Sequence, residues 1–385
     1  MKYLVVAYWH DSRFKNKPGG LIRMFELADN LLDMGHDVAM VLPKLGFPKA
    51  QTRARVIEIP FLDIPILRPL CFHVLSTLYL LSANPGRIDC LYVRQMNSFL
   101  PFLVSRMFGI FSYFELPNDP YRGYSLESPG KRLIIEVIDR LCVTLADRIV
   151  VLSLWSKKRL HAMGDVPLAK ILVFPSGTDT ELFTPRDPAA CRRELNLDPS
   201  YYYVGFIGSF LEYQGIDTLI DVAPSILKKI PTTRFLLVGD GPMRKSWENR
   251  ARKQGVRDYF LFIGHVPYRQ VPAYLGAMDV CVAPHHADTN QASPVKLFDY
   301  MAAGRPIVAS DIEVVREIIG DSRCAVLFNP EDDKHLGFCI TSILQNPVWA
   351  KDLGEKGRSF CVSNYDRKMV TRKLFTAGGS DDQKG

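Results

Sequence analysis

Short apolar runs alternate along this chain with longer stretches whose apolar residues recur every three or four positions. Strand-like runs fall at 3–8, 37–42, 56–60, 88–93, 111–115, 148–152 and 171–174. A second series follows at 203–207, 234–238, 259–263, 280–283, 307–309 and 325–328. Helical stripes lie between them, for example Ile134, Val137, Ile138, Leu141, Cys142 and Leu145, or Ile216, Leu219, Ile220, Ala223, Ile226, Leu227 and Ile230. Apolar strands alternating with amphipathic helices predict parallel sheets covered by helices on both faces. Thirteen strands exceed one open sheet, and "FPSGTDTELFTPRDP" (174–188), rich in Pro, Gly, Ser and Thr, marks a break. The pattern therefore predicts an α/β protein of two facing Rossmann-like domains, 1–176 and 177–360. A last helix at about 360–378 is expected to pack back on the first domain.

Composition narrows this picture. With 385 residues and 47% hydrophobic content the chain can bury two ordinary cores. "MKYLVVAYWHD" has too short an apolar stretch for a secretory leader and reads as a first strand. Eight cysteines stand singly without a CxxC pair, as reduced core thiols of a cytoplasmic protein would. The net charge of +7 is uneven: residues 1–176 carry 22 Lys and Arg against 15 Asp and Glu, residues 177–385 carry 26 against 26. The excess suits an anionic partner or a plain solubility surface. A nucleic-acid partner is disfavoured, because no patch interleaves basic and aromatic residues. The greasy segments 60–83 and 98–114 are interrupted by Arg68, His73 and Arg106, against a membrane span. They read as helices buried on the sheet or as a membrane-facing surface.

Three glycine-bearing turns follow strands, where ligands of parallel sheets sit. Gly19-Gly20 opens the first helix. Gly239-Asp240-Gly241 lacks the third glycine of a dinucleotide fingerprint, against a nicotinamide cofactor. The third is "ASPVKLFDYMAAGRPIVAS" (292–310), which reads as loop, helix, tight turn and buried strand. Ser293, Pro294 and Val295 lead into a helix whose first free N–H groups suit a diphosphate. Lys296 adds a charge there, and Asp299 suits ribose hydroxyls. The alternative is an exposed Lys–Asp pair at i,i+3. His285 and His286 precede this helix; adjacent histidines make a poor metal pair, so hydrogen bonding to a bound sugar is the better expectation and no metal is expected.

Taken together, "PGGLIRMFELADNLLDMGHDVAMV", "ADRIVVLSLWSKKRL", "KILVFPSGTDTELFTP", "VGFIGSFLEYQGIDTLI", "FLLVGDGP", "FIGHVPYRQVPAYLGAMDVCVAP" and "SPVKLFDYMAAGRPIVAS" resemble, in order, the retaining family-4 glycosyltransferases of GT-B fold. The likeness spans nearly the whole chain. It departs from the family's Glu-x7-Glu pattern, with Gln291 and Asp299 at the two positions. Ser209 or Phe210, and Gln214, stand where the family has Arg and Lys. Lys296 is then the candidate for the missing charge, within a Ser-Pro-x-Lys subgroup. The resemblance implies transfer of a hexose from a UDP- or GDP-sugar to an acceptor hydroxyl with retention, without metal, in polysaccharide or glycolipid synthesis. It implies a base near Gly264, His265 and Val266, ribose on Asp299, and diphosphate between Gly19-Gly20 and residues 294–296. Gly239, Gly241, Ser209 and His286 complete the expected donor contacts. Glu115, with Asn118 behind it, is the acceptor-side candidate and, with Lys296 and Asp299, the expected catalytic set. Lipid-linked acceptors at the cytoplasmic face of an anionic membrane would account for the basic first half. Two other readings remain: a catalytically degenerate scaffold or binding subunit, and a sugar-nucleotide epimerase.

Overall fold

The apolar runs form strands, and among the described residues every pairing of two strands is parallel. The computed structural model describes residues 1–8, 19–44, 52–60, 67–83, 85–96, 98–117, 129–164, 166–287 and 294–377. Gln291, Ser293 and Asn118 lie outside these. The chain divides into two units, one of residues 176–369 and one of 1–175 completed by residues from Val370 onward.

In the first unit β1 (Lys2–Val6), β2 (Asp37–Pro43), β3 (Arg55–Ile59), β4 (Cys90–Arg94), β5 (Phe111–Leu116), β6 (Arg148–Val151) and β7 (Ile171–Val173) make one sheet. Their order is β3-β2-β1-β4-β5-β6-β7. The second unit holds β8 (Tyr202–Ile207), β9 (Thr233–Val238), β10 (Phe260–Gly264), β11 (Val280–Ala283), β12 (Ile307–Ser310) and β13 (Ala325–Phe328), ordered β10-β9-β8-β11-β12-β13. Each sheet reverses its strand order once, at β1/β4 and at β8/β11. Both faces are buried, as continuous apolar strands require: Leu4, Val6, Leu91 and Val93 line one core of the first sheet, Val5, Cys90 and Tyr92 the other.

The first unit's helices are α1 (Gly19–Asp33), α2 (Leu67–Ser82), α3 (Leu100–Phe108), α4 (Pro129–Leu145) and α5 (Leu154–Gly164). The second has α6 (Pro188–Glu194), α7 (Ile216–Lys229), α8 (Arg244–Lys253), α9 (Val271–Ala277), α10 (Lys296–Ala302), α11 (Glu313–Ile319), α12 (Asp333–Leu344) and α13 (Pro347–Tyr365), and α14 (Arg367–Ala377) follows. Local signals set their ends. Asp187 caps α6 by accepting from the Ala190 N–H at 2.8 Å, with Pro188 at the first helical position.

Two expectations change. The return to the first unit starts at Val370 rather than near 360, because Leu353 and Cys361 of α13 are buried in the second unit's cores. From α14, Val370, Leu374 and Phe375 complete the first core, with Phe375 edge-on to Tyr3 and Tyr113. The stripe on α4 is also not a single buried face. Cys142 is buried and Ile138 and Leu145 partly so, but Ile134, Val137 and Leu141 point to solvent. The helix is apolar around more of its circumference than the sheet can cover.

Candidate functional site

Where a parallel sheet reverses its order, the two strands flanking the reversal send their connections to opposite sides and leave a gap at their carboxyl ends. In the second unit β8 and β11 pair only at Val204/Val280 and Gly205/Cys281. Tyr300 of α10 fills the space beyond: its hydroxyl accepts from the Ile207 N–H at 2.9 Å and donates to the Val282 carbonyl at 3.4 Å. One turn earlier on the same helix, Lys296 enters the gap. Its Nζ donates to Gln214 Oε1 and to His285 Nε2, the latter at 3.3 Å, and lies 5.0 Å over the Phe206 ring. A Cβ on Gly208 would come within 3.2 Å of the lysine's Cε, so the loop after β8 passes close over it. His285 is itself fixed by Ser310, whose hydroxyl donates to its carbonyl at 2.6 Å.

Lys296 is buried and, among the described residues, pairs with no carboxylate. Burial lowers its ammonium to about 7. A cation held by an amide oxygen, an imidazole nitrogen and a ring face lacks a counter-charge, and an anion in the gap would supply one. Gln214 stands where the resemblance expects a lysine. The Lys296 ammonium reaches that glutamine from α10 and donates to its side-chain oxygen.

The lysine–aspartate pair at i,i+3 does not form. Asp299, partly buried, accepts from the Thr178 hydroxyl at 2.6 Å. Burial pushes its carboxyl up to about 6, against the Thr178 hydrogen bond and the Arg367 charge, which lower it, while Asp179 adds to the rise. The start of α10 also differs from expectation. The N–H groups of Leu297 and Phe298 donate to the Pro294 and Val295 carbonyls at 3.0 and 3.1 Å. The helix begins in a tight turn that occupies these two donors. Pro294 is buried and Val295 exposed.

The remaining donor candidates line the same carboxyl edge. Ser209 is exposed after β8, whereas Phe210 belongs to the core and packs on Trp247. Gly215, with φ of 64°, starts α7 hard against β11: a Cβ there would meet the Pro284 carbonyl oxygen at 1.6 Å. His286 follows, its Nε2 3.3 Å from Asp217 in the first turn of α7. Gly239 packs backbone to backbone on Gly208, where a Cβ would lie 1.9 Å from the carbonyl oxygen; this close approach accounts for the glycine. Gly241 is pressed likewise on Phe210. His265 is exposed and Val266 half-buried beyond β10, at the sheet's outer edge. Gly19 and Gly20 open α1 in the first unit.

Glu115 behaves differently from its assignment. It is wholly buried beside its register partner Arg94, whose Nη1 donates to Oε1 at 2.8 Å. The Tyr92 hydroxyl donates to Oε2, and Arg23 Nε lies 3.5 Å away. Arg23 also donates to the Phe174 and Pro175 carbonyls at 3.0 and 3.2 Å. Burial pushes the carboxyl up, but the two guanidiniums and Tyr92 outweigh it and hold it below the usual carboxylate range. Both oxygens are taken and neither faces solvent, so Glu115 positions the two arginines rather than acting on a substrate. Sequence reading missed Arg23, Arg94, Tyr92, Thr178 and Tyr300. The available signal was charge inside apolar runs, as in "CLYVR" and "GGLIRMFEL".

The second unit thus holds a buried cation where its parallel sheet reverses, the place where open α/β sheets take their ligands. Two family models match the chain, glycosyltransferase family 4 over residues 19–182 and glycosyl transferases group 1 over residues 189–360. Each match covers under half of the chain and the two together most of it, so the chain is similar to glycosyltransferases over both units. It is 28% identical over 192 residues to the D-inositol 3-phosphate glycosyltransferase of Segniliparus rotundus, covering 49% of this chain and 42% of that protein. It is 30% identical over 225 residues to the lipopolysaccharide core biosynthesis mannosyltransferase LpsB of Rhizobium meliloti, covering 55% and 62%. The chain thus spans about half the length of the curated relatives it matches. Among solved structures, Anabaena HepE in complex with UDP-glucose shares the fold at 16% identity and a TM-score of 0.77, covering 99% of this chain and 100% of that one.

Two substitutions separate structural from chemical roles. Glu115→Gln leaves two buried guanidiniums without their counter-charge and is expected to cost about 3–5 kcal/mol in urea unfolding. Wild-type stability with lost turnover would instead return Glu115 to the chemistry. Asp299 has a folded value above its unfolded one, so its contribution is full below the ordinary carboxylate range and is lost as pH rises through about 6. Asp299→Asn is therefore expected to raise the melting temperature at about pH 8, by up to roughly 3 kcal/mol of stability, and by almost nothing near pH 4.

Proposed function

We propose that this chain transfers a hexosyl group from a nucleoside-diphosphate sugar, UDP- or GDP-linked, to an acceptor hydroxyl. The transfer retains the anomeric configuration and serves polysaccharide or glycolipid synthesis, on a lipid-linked acceptor at the cytoplasmic face of a membrane. The observation that carries this reading is Lys296, a buried ammonium without a counter-charge in the β8/β11 gap. A donor diphosphate seated there would complete the charge balance. As the sugar's C1–O bond breaks, negative charge gathers on the departing phosphate, and an ammonium already in place stabilises it without solvent having to reorganise. The start of α7, after Gly215, adds its positive end. No metal is then needed for leaving-group charge. Asp299, near the gap on α10, would hold the ribose hydroxyls by its free acceptor capacity.

The two glycosyltransferase matches support the reaction class, and the ligand and activity of similar proteins support the donor class. HepE was solved with UDP-glucose, and LpsB is a mannosyltransferase. The Ser-Pro-x-Lys subgroup gains support from Lys296, whose ammonium donates to Gln214, the residue that stands where the resemblance expects a lysine.

A thermal-shift screen against UDP, GDP, ADP and CMP tests the reading. One diphosphate is expected to raise the melting temperature, and Lys296→Ala to abolish the rise. Silence across all four nucleotides in a folded sample would sink it, and binding without donor hydrolysis or transfer would leave a scaffold. The same ligand carries a pH signature. A bound diphosphate favours the charged amine, so above about pH 7 binding takes up a proton. Affinity should fall by up to about tenfold per unit from about pH 7 to pH 9, and Lys296→Ala should flatten that slope.

A further inference from the structure

The carboxylate of Asp299 is met from outside its own helix. Thr178, in the segment that leads from β7 to α6, is buried, and its hydroxyl donates to Oδ1 at 2.6 Å. Among the described residues no hydrogen bond reaches Oδ2, and the aspartate is only partly buried. One oxygen is thus occupied while the other keeps its capacity to accept. Lys296 stands one turn earlier on α10, so carboxylate and ammonium share one face of the helix.

The threonine is itself held fast, and entirely within the second unit. Its N–H donates to the Tyr365 carbonyl and its own carbonyl accepts from the Arg367 N–H, each at 3.0 Å. Gly177 before it, with φ of 59°, passes so close that a Cβ would lie 2.7 Å from the Tyr365 carbonyl oxygen. Thr180 donates to Asp366 Oδ2 at 2.6 Å. Arg358 ties this loop to α10, its Nη1 donating to the carbonyls of Thr180, Phe183 and Ala302 at 3.0, 2.7 and 2.9 Å. A branched Cβ leaves Thr178 little χ1 freedom. Its hydroxyl is therefore a fixed point, and a short side chain pinned to it meets a ligand already ordered.

The same bond favours the charged carboxylate, as the Arg367 guanidinium does, against burial and the charge of Asp179. The other titratable groups beside it, the Cys361 thiol and the Tyr300 hydroxyl, are pushed up by burial and stay neutral.

We infer that Thr178 is a positioning residue of the donor site: it pins Asp299 so that the open oxygen accepts a ribose hydroxyl, and the site thereby selects ribonucleotides over deoxyribonucleotides. This deepens the transferase reading, on which it rests, by naming the nucleoside sugar that the site distinguishes.

Titration of the full chain with UDP and GDP, each beside its 2′-deoxy and 3′-deoxy forms, tests it. For the nucleotide that binds, at least one deoxy form is expected to bind wild type about tenfold or more weakly, as loss of a hydrogen bond to a charged group requires. Thr178→Val, or Thr178→Ala should the valine prevent folding, should weaken the ribonucleotide by a similar factor and leave that deoxy form nearly unchanged. Thr178→Ser should restore the difference. Without ligand, the hydroxyl-free variant should lose more melting temperature near pH 8, where Asp299 is charged, than near pH 4, and Asp299→Asn should abolish that pH difference. Equal affinity of wild type for ribo and deoxy forms, or parallel weakening of both in the hydroxyl-free variant, would overturn the inference and leave the transferase reading standing. Binding of no nucleotide at all would remove both.

Discussion

A parallel sheet that reverses its strand order must open at its carboxyl edge, and in the second unit everything near the gap is organised by how that opening is closed. The Tyr300 hydroxyl satisfies the backbone of β8 and β11 where the strands part. Because Tyr300 is held there, the residue one turn earlier on α10 is carried into the same opening, and that residue is Lys296. The short pairing of β8 with β11, the close loop at Gly208 and the tight start of α7 at Gly215 leave the ammonium little room to reach water. The cation is a consequence of the topology as much as of the residue.

The two units handle buried charge in opposite ways. In the first, Glu115 and two arginines neutralise one another, with Tyr92 and two carbonyls using the remaining hydrogen-bonding capacity. Such a cluster fixes β4, β5 and α1 in register and asks nothing of a ligand. In the second, Lys296 and Asp299 sit on one short helix yet do not neutralise one another, and each is shifted toward its uncharged form. That contrast, and not burial alone, separates the balanced charges of the first unit from the unbalanced ones of the second.

The strands were legible because buried parallel strands leave a strong local signature: each observed strand begins and ends within two residues of its expected place. The opening stretch around Lys296 and Asp299 was legible for the same reason, since helix, turn and strand are contiguous in sequence. What stayed hidden was set by distant neighbours. Glu115 ends a strand in plausible fashion, and only its pairing with Arg94 and Arg23 shows that it is enclosed. The α4 stripe has flawless helical spacing, yet periodicity does not say how much of a helix its sheet can cover. Two N–H groups of α10, those of Leu297 and Phe298, looked free because the sequence does not disclose that the helix starts as a tight turn.

The return of α14 bears on how the protein is made. Val370, Leu374 and Phe375 belong to the core of the first unit, against Tyr3 and Tyr113. A ribosome delivers residues 1–175 long before those three, with all of the second unit in between. The unit synthesised first is therefore the one completed last. Until α14 emerges, Tyr3 and Tyr113 lack the ring of Phe375 that packs edge-on against both.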